Sequence, residues 1–165
     1  MFEGMFDTID GLPVHVLVVH AVVVLIPLAA IGAIMMALRP RWVRVIGVAT
    51  IAGAGVGAVA AFVSKISGES LASRVGVPNP HAEYGENYPL FVLAYLVLIT
   101  VFWLYVRGVP LNRSRPLWLK GFGVVVILAS IGIAYFSFIT GHSGSEATWS
   151  SVIENTRPGT FQVEE

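Results

Sequence analysis

The residues of this sequence best suited to chemistry are its four histidines. Two lie in the apolar run "LPVHVLVVH", one in the polar segment "NPHAEYGENYP" and one in "TGHSGS"; they are His15, His20, His81 and His142. Neutral imidazole is the commonest metal ligand of proteins, and histidine also binds haem iron. The chain contains no cysteine, which excludes thiolate-held clusters and Cys-ligated zinc. A metal would therefore have to be bound by histidines and carboxylates.

The spacing of the first two histidines separates their side chains. Five positions on a helix place His15 and His20 about 140° apart around the axis and about 7.5 Å apart along it. We therefore expect each ring to meet a different neighbour. His20 enters the membrane by about one turn, where an ionisable side chain is a functional hypothesis by default. The alternative is that these rings only satisfy buried backbone carbonyls.

Composition indicates the elements that must position these rings. The chain has 165 residues, of which 56% are hydrophobic and 12% charged, whereas soluble domains carry about 25% charged residues. Four apolar segments are each near the ~20 residues that cross a membrane as a helix. They are residues 13–38, 42–64, 89–106 and 117–140. The prediction is a single all-α domain over residues 1–165, an integral membrane four-helix bundle with an outer loop at 65–88 and an outer tail at 141–165.

Charge predicts the orientation of this bundle. The two connections that contain "RPRWVR" and "RGVPLNRSRPLWLK" hold Arg39, Arg41, Arg44, Arg107, Arg113, Arg115 and Lys120 and no acid. All ten acids lie on the opposite side. The positive-inside bias makes the basic connections cytoplasmic, so both termini are predicted outside a bacterial inner membrane.

The same topology brings all four histidines to the outer face, together with Glu69, Glu83 and Glu146. If the helices form a compact bundle, rings from three segments could converge in one layer. Such a cluster is suited to haem b or to a copper or zinc ion. The predicted cofactor or metal ligands are His15, His20, His81 and His142, with Glu83 as a further metal ligand.

The second span contains small residues at strict four-residue spacing, namely Ala49, Gly53, Gly57 and Ala61. Such a stripe lets another helix approach closely. The neighbour could be a helix of the same bundle or of a partner subunit, and the sequence leaves both open.

The sequence favours a protein that is not an enzyme. The segment "GHSGS" lacks the final glycine and the preceding strand of a nucleophile elbow. The sequence has no nucleotide motif, and the inner half of every span lacks the buried charged residues typical of proton or ion conduction, which argues against a pump or channel. The net charge of zero gives no indication of nucleic-acid binding.

Three segments resemble one known family. "LPVHVLVVH", "PHAEYGENYPLFVLAYLVLI" and "TGHSGSEATW" are similar to motifs of the DUF2231 family of small four-span bacterial membrane proteins, over about residues 11–150. By position, His15, His20, His81, His142 and Gly144 fall on recurrent sites of that family. Domains of the family occur beside cytochrome or Rieske-like modules, so the resemblance implies a respiratory or redox setting.

Two functions follow as expectations. The first is a non-catalytic accessory subunit, embedded in lipid and packed against a larger assembly such as an oxidase or a quinol-oxidising complex. The alternative is a redox or metal-binding membrane protein that holds haem b or a copper or zinc ion through the histidines.

Overall fold

The structure is a computed structural model, and it describes residues 7–76 and 80–156. Four helices follow a small antiparallel hairpin in which Thr8 pairs with Pro13 and Ile9 with Leu12. The elements are β1 Thr8–Ile9, β2 Leu12–Pro13, α1 Val14–Leu38, α2 Pro40–Val75, α3 His81–Val106 and α4 Leu117–Asn155. All four helices are long and apolar enough to cross a membrane. The prediction of an all-α bundle with four spans is confirmed.

The hairpin turns at Asp10 and Gly11, whose φ angles are 50° and 80°. Two successive positive φ values are what a tight two-residue hairpin needs, and Asp-Gly is a favoured pair for it. Asp7 lies directly before β1, and its backbone carbonyl accepts a hydrogen bond from the backbone N–H of Val14 (3.1 Å). The carboxylate of Asp7 pairs with Arg74. The start of α1 is thereby linked to the far end of α2.

The helices are arranged as a ring in chain order. α1 packs against α2 and α4, and α3 packs against the same two helices, whereas α1 and α3 have little direct contact. Large apolar side chains remain exposed on the outside of the ring, including Leu28, Val45, Leu128 and Phe138. This distribution fits a bundle surrounded by lipid, because lipid tails are as apolar as these side chains.

Hydropathy located the apolar parts of these helices but not their ends. Most of the predicted outer loop at 65–88 is helical, since α2 continues to Val75 and α3 begins at His81. The predicted tail at 141–165 is likewise helical as far as Asn155, and its residues 157–165 lie outside the described part. A loss of hydropathy marks where a helix leaves lipid, whereas a helix ends where capping or backbone restrictions stop it. With 36 residues, α2 is about 54 Å long, well beyond the ~30 Å hydrocarbon core.

The predicted stripe of small residues is divided by the structure. Gly57 and Ala61 are buried, and a Cβ at Gly57 would lie 2.6 Å from Ile26 Cδ1 of α1. Ala49 is exposed, and Gly53 has open space where a Cβ would be. Four residues turn a helix by about 400°, so a strict four-residue stripe drifts by about 40° at each step and leaves the contact face. The stripe therefore packs inside the bundle at one end only.

Candidate functional site

Two ends of the bundle differ in their chemistry, and we name them by it. The histidine end contains the starts of α1 and α3 and the parts of α2 and α4 near Ser64 and Thr140. The arginine end contains Arg39 and Arg115, which precede α2 and α4.

His15, the second residue of α1, is half-buried and bonded to α2. Its Nδ1 lies 2.8 Å from the carbonyl oxygen of Ser64. A carbonyl only accepts hydrogen bonds, so Nδ1 carries the proton, and Nε2 of the neutral ring keeps a free lone pair. The ring lies against Gly68, where a Cβ would be 3.0 Å from His15 Nδ1. A larger residue at 68 would displace the imidazole.

His81, the first residue of α3, repeats this arrangement against α4. Its Nδ1 lies 3.0 Å from the carbonyl oxygen of Thr140, which also accepts a hydrogen bond from Ser143 Oγ (2.9 Å). A Cβ at Gly144 would lie 2.9 Å from His81 Cε1. Here too Nδ1–H is the donor, and Nε2 is left as a potential ligand.

The two rings meet each other across the bundle. Their centroids are 6.0 Å apart, and the ring planes make an angle of 77°. Within residues 7–76 and 80–156 neither Nε2 has a hydrogen-bond partner. The predicted convergence of histidines from different segments is therefore found for His15 and His81.

The other two histidines do not join them. His20 is exposed, and its Nδ1 bonds to the carbonyl of Val16 in its own helix. His142 is also exposed and stacks on Phe138, with centroids 5.9 Å apart. In the described part of the chain no group of three or more His, Asp or Glu side chains could hold a metal ion.

The predicted five-ligand set is thus not assembled, for reasons of helical geometry. His20 lies on a different face of α1 from His15, as the five-residue spacing requires. His142 precedes Ser143, which is buried, and a step of one residue rotates a side chain by about 100°. Glu83 is exposed on α3.

Sequence reasoning missed the groups that position the two rings. Each ring is positioned by a helix segment of the same type. A Ser or Thr supplies the carbonyl, a serine follows three residues later, and a glycine comes directly after that serine. These segments are residues 64–68, "SKISG", and 140–144, "TGHSG". A search for internal repeats would have found the shared Ser-Gly ending.

At the arginine end, Arg115 is bonded to the end of α1. Its guanidinium donates to the carbonyls of Ala37 (2.6 Å) and Met36 (2.7 Å), and Arg115 is only 9% exposed. The last carbonyls of a helix lack partners within it, and a cation there is favourable. Burial lowers the pKa of Arg115, but arginine remains charged in proteins. The sequence counted Arg115 only as one of the basic residues that set orientation.

Two tyrosine–serine pairs join α3 to α4 between the two ends. Tyr88 Oη lies 2.6 Å from Ser137 Oγ, and Tyr95 Oη 2.8 Å from Ser130 Oγ. Both serines donate to carbonyls of their own helix, so the tyrosine hydroxyls are the donors in these pairs. Beside them lies an open apolar groove of about 540 Å³ that faces outward from α3 and α4.

Comparison with known proteins gives one match. A family model described as "Predicted membrane protein (DUF2231)" matches residues 11–157, which confirms the resemblance carried by the three motifs. No curated protein and no solved structure matches the chain.

Proposed function

The chain belongs to the DUF2231 family of predicted membrane proteins, and from that premise we propose that it is a non-catalytic accessory subunit of a respiratory or redox membrane complex. One observation carries the proposal: the polar side chains between the helices are used to hold helices together. His15 and His81 donate to carbonyls of neighbouring helices, and Tyr95 donates to Ser130. Interhelical hydrogen bonds of this kind stabilise membrane bundles.

A partner would dock through the apolar exterior. Small residues line part of the groove between α3 and α4, namely Ala94, Ala129 and Gly132, with Phe91 and Phe136 among its other lining residues. Small residues allow a second helix to come close. A partner helix is therefore suited to this groove.

Co-purification tests the accessory role. The tagged chain is extracted from its native membranes in a mild detergent, and haem content and quinol-oxidase activity are measured in the eluate. We expect both to co-elute with the chain and to fall several-fold in Gly132→Leu, which fills the groove. Gly53→Leu, on the open face of α2, is the matched control. A chain that elutes without either signal would contradict the proposal.

We further propose that the protein lies in the bacterial cytoplasmic membrane with its histidine end and both termini outside. The basic residues of the arginine end support this orientation through the positive-inside bias. Arg115 is used within the bundle, but the other basic residues remain to set the bias: Arg39, Arg41, Arg44, Arg107, Arg113 and Lys120.

The lack of cysteine makes the orientation easy to test. Asn112→Cys, near the arginine end, and Ser150→Cys, near the histidine end, place thiols at exposed positions. A membrane-impermeant maleimide should label Ser150→Cys in intact cells, and Asn112→Cys only after permeabilisation. The reverse pattern would overturn the proposed orientation.

A second candidate function is a redox or metal centre at the histidine end, and the contact between His15 and His81 favours it. Copper, zinc or haem b would be held by the Nε2 atoms of these two rings. Of these, a single ion requires the least space between rings whose centroids are 6.0 Å apart. A haem would supply one-electron transfer near the membrane surface. The absorbance spectrum of the purified protein distinguishes haem from a copper or zinc ion, because only haem gives a Soret band.

A further inference from the structure

Helices α2 and α4 carry the same sequence pattern over most of their length. An Arg-Pro-x-Trp motif begins at Arg39 and again at Arg115, and each copy is followed by a glycine, Gly47 or Gly123. At the opposite end of each helix is a Ser-Gly pair, at residues 67–68 and 143–144. All of these positions align without a gap at one constant offset. α2 and α4 thus share one pattern, and each forms a hairpin with the helix that precedes it.

The packing within each hairpin follows the shared pattern. In the second hairpin the contacts between α3 and α4 recur every seven residues: His81 with Gly144, Tyr88 with Ser137, Tyr95 with Ser130 and Phe102 with Gly123. In the first hairpin His15 contacts Gly68. The same seven-residue steps from this pair reach residues that are all buried: Val22, Ala29, Met36, Ala61, Ala54 and Gly47.

The two hairpins occupy equivalent places in the ring, because α1 and α3 each pack against both α2 and α4. His15 and His81 hold equivalent positions and meet each other, with ring centroids 6.0 Å apart. The other histidines have no such counterpart. The position equivalent to His20 is Glu86, and that equivalent to His142 is Ile66.

From these equivalent positions and from the contact of the two rings we infer that His15 and His81 form a two-histidine site for one transition-metal ion of the class that binds imidazole, copper or zinc. The inference sharpens the second candidate function above and does not depend on the accessory role. His20, His142 and Glu83 are not ligands of this site.

The surroundings of each ring are those of a metal ligand. Histidines that bind metals usually donate their other ring N–H to a carbonyl or carboxylate, which fixes the tautomer and orients the ring. The carbonyls of Ser64 and Thr140 provide this bond here. The protein supplies two ligands, and the ion completes its coordination with water or a small anion. Among divalent ions of the first transition row, Cu²⁺ binds nitrogen sites most tightly.

Titration of the full chain in detergent with Cu²⁺, and separately with Zn²⁺, tests the site. We expect one ion per chain, with Cu²⁺ bound more tightly. His15→Ala and His81→Ala should each lower the affinity by at least about 100-fold, since loss of an outer-shell partner alone costs about 10–100-fold. His20→Ala and His142→Ala are the matched controls and should leave the affinity unchanged.

A spectroscopic readout guards against variants that misfold. The electron paramagnetic resonance spectrum of the Cu²⁺ complex should show two imidazole nitrogens in the parent chain and one in His15→Gln. Gly144→Ala, whose Cβ would press on His81, should also weaken binding. Gly141→Ala, whose nearest neighbour would be Val23 at 3.6 Å, should not.

Each outcome decides a separate question. Failure to bind either ion overturns the inference, while the co-purification experiment still decides the accessory role. Binding that depends on His20 or His142 overturns the assignment of the pair but retains a metal centre at the histidine end.

Discussion

The two hairpins bury residues at the same seven-residue steps but fill these positions with different side chains. Between its ends the first hairpin uses small and aliphatic residues, such as Ala29 and Ala54. The second uses hydrogen-bonded pairs at the equivalent positions, such as Tyr95 with Ser130. At the histidine end the two are alike, since each ring has its carbonyl and its glycine. The equivalent positions in the middle of the hairpins therefore hold different types of residue, whereas at the histidine end both hairpins have the same arrangement of ring, carbonyl and glycine.

At the arginine end the two hairpins differ in the contacts of their equivalent arginines. Arg115 is buried and bonded to α1, whereas its counterpart Arg39 is exposed. The connection of α1 to α2 consists of Arg39 alone, so that arginine stays beside its own helix. The longer connection at 107–116 lets Arg115 reach α1. Equivalent residues have therefore acquired unequal roles.

Substitution of these two arginines should give the largest difference in the free energy of unfolding between equivalent positions of the two hairpins. Arg115→Ala removes two hydrogen bonds from a charged donor and should lower the free energy of unfolding by about 3 kcal/mol. Arg39→Ala should change it by less than about 0.5 kcal/mol, as exposed substitutions usually do. Unfolding in mixed micelles measures both, and equal losses would contradict the unequal roles.

A smaller effect is expected from the paired glycines at the arginine end. A Cβ at Gly47 would collide with the indole of Trp103, whereas at Gly123 it would make ordinary contacts of 3.8 Å. Gly47→Ala should therefore destabilise the bundle by about 1–3 kcal/mol through overpacking. Gly123→Ala should be neutral or slightly stabilising, because alanine favours helix more than glycine does. The same unfolding assay would refute this difference if the two variants behaved alike.

The smallest effect concerns the tyrosine pairs of the second hairpin. Tyr95→Phe removes one interhelical hydrogen bond but leaves Ser130 bonded to Val126, so the loss should be about 0.6 kcal/mol. Tyr135→Phe, on the 65% exposed tyrosine of α4, is the control and should have no measurable effect. A loss of several kcal/mol in Tyr95→Phe would show that this pair is essential to the hairpin.

Much of the fold could be predicted from the sequence, because a helix in lipid must be apolar over a length set by the membrane. The ends of α2 and α4 could not, since helices continue through polar residues such as Glu69 and Ser145. For the site, helical spacing correctly separated His15 from His20. It did not show that His142 turns outward while Ser143 turns inward, because that depends on how α4 is rotated in the bundle. Counting charges likewise cannot distinguish a buried Arg115 from an exposed Arg39.

The single-residue connection between α1 and α2 has a consequence for how the chain enters the membrane. A pair of antiparallel spans starts and finishes on one face, so a second copy placed after it inserts in the same orientation with its charges unaltered. A second copy of such a unit therefore needs neither inversion nor an additional span to link it to the first. Residues that meet between two such hairpins, as His15 and His81 do, then belong to one polypeptide.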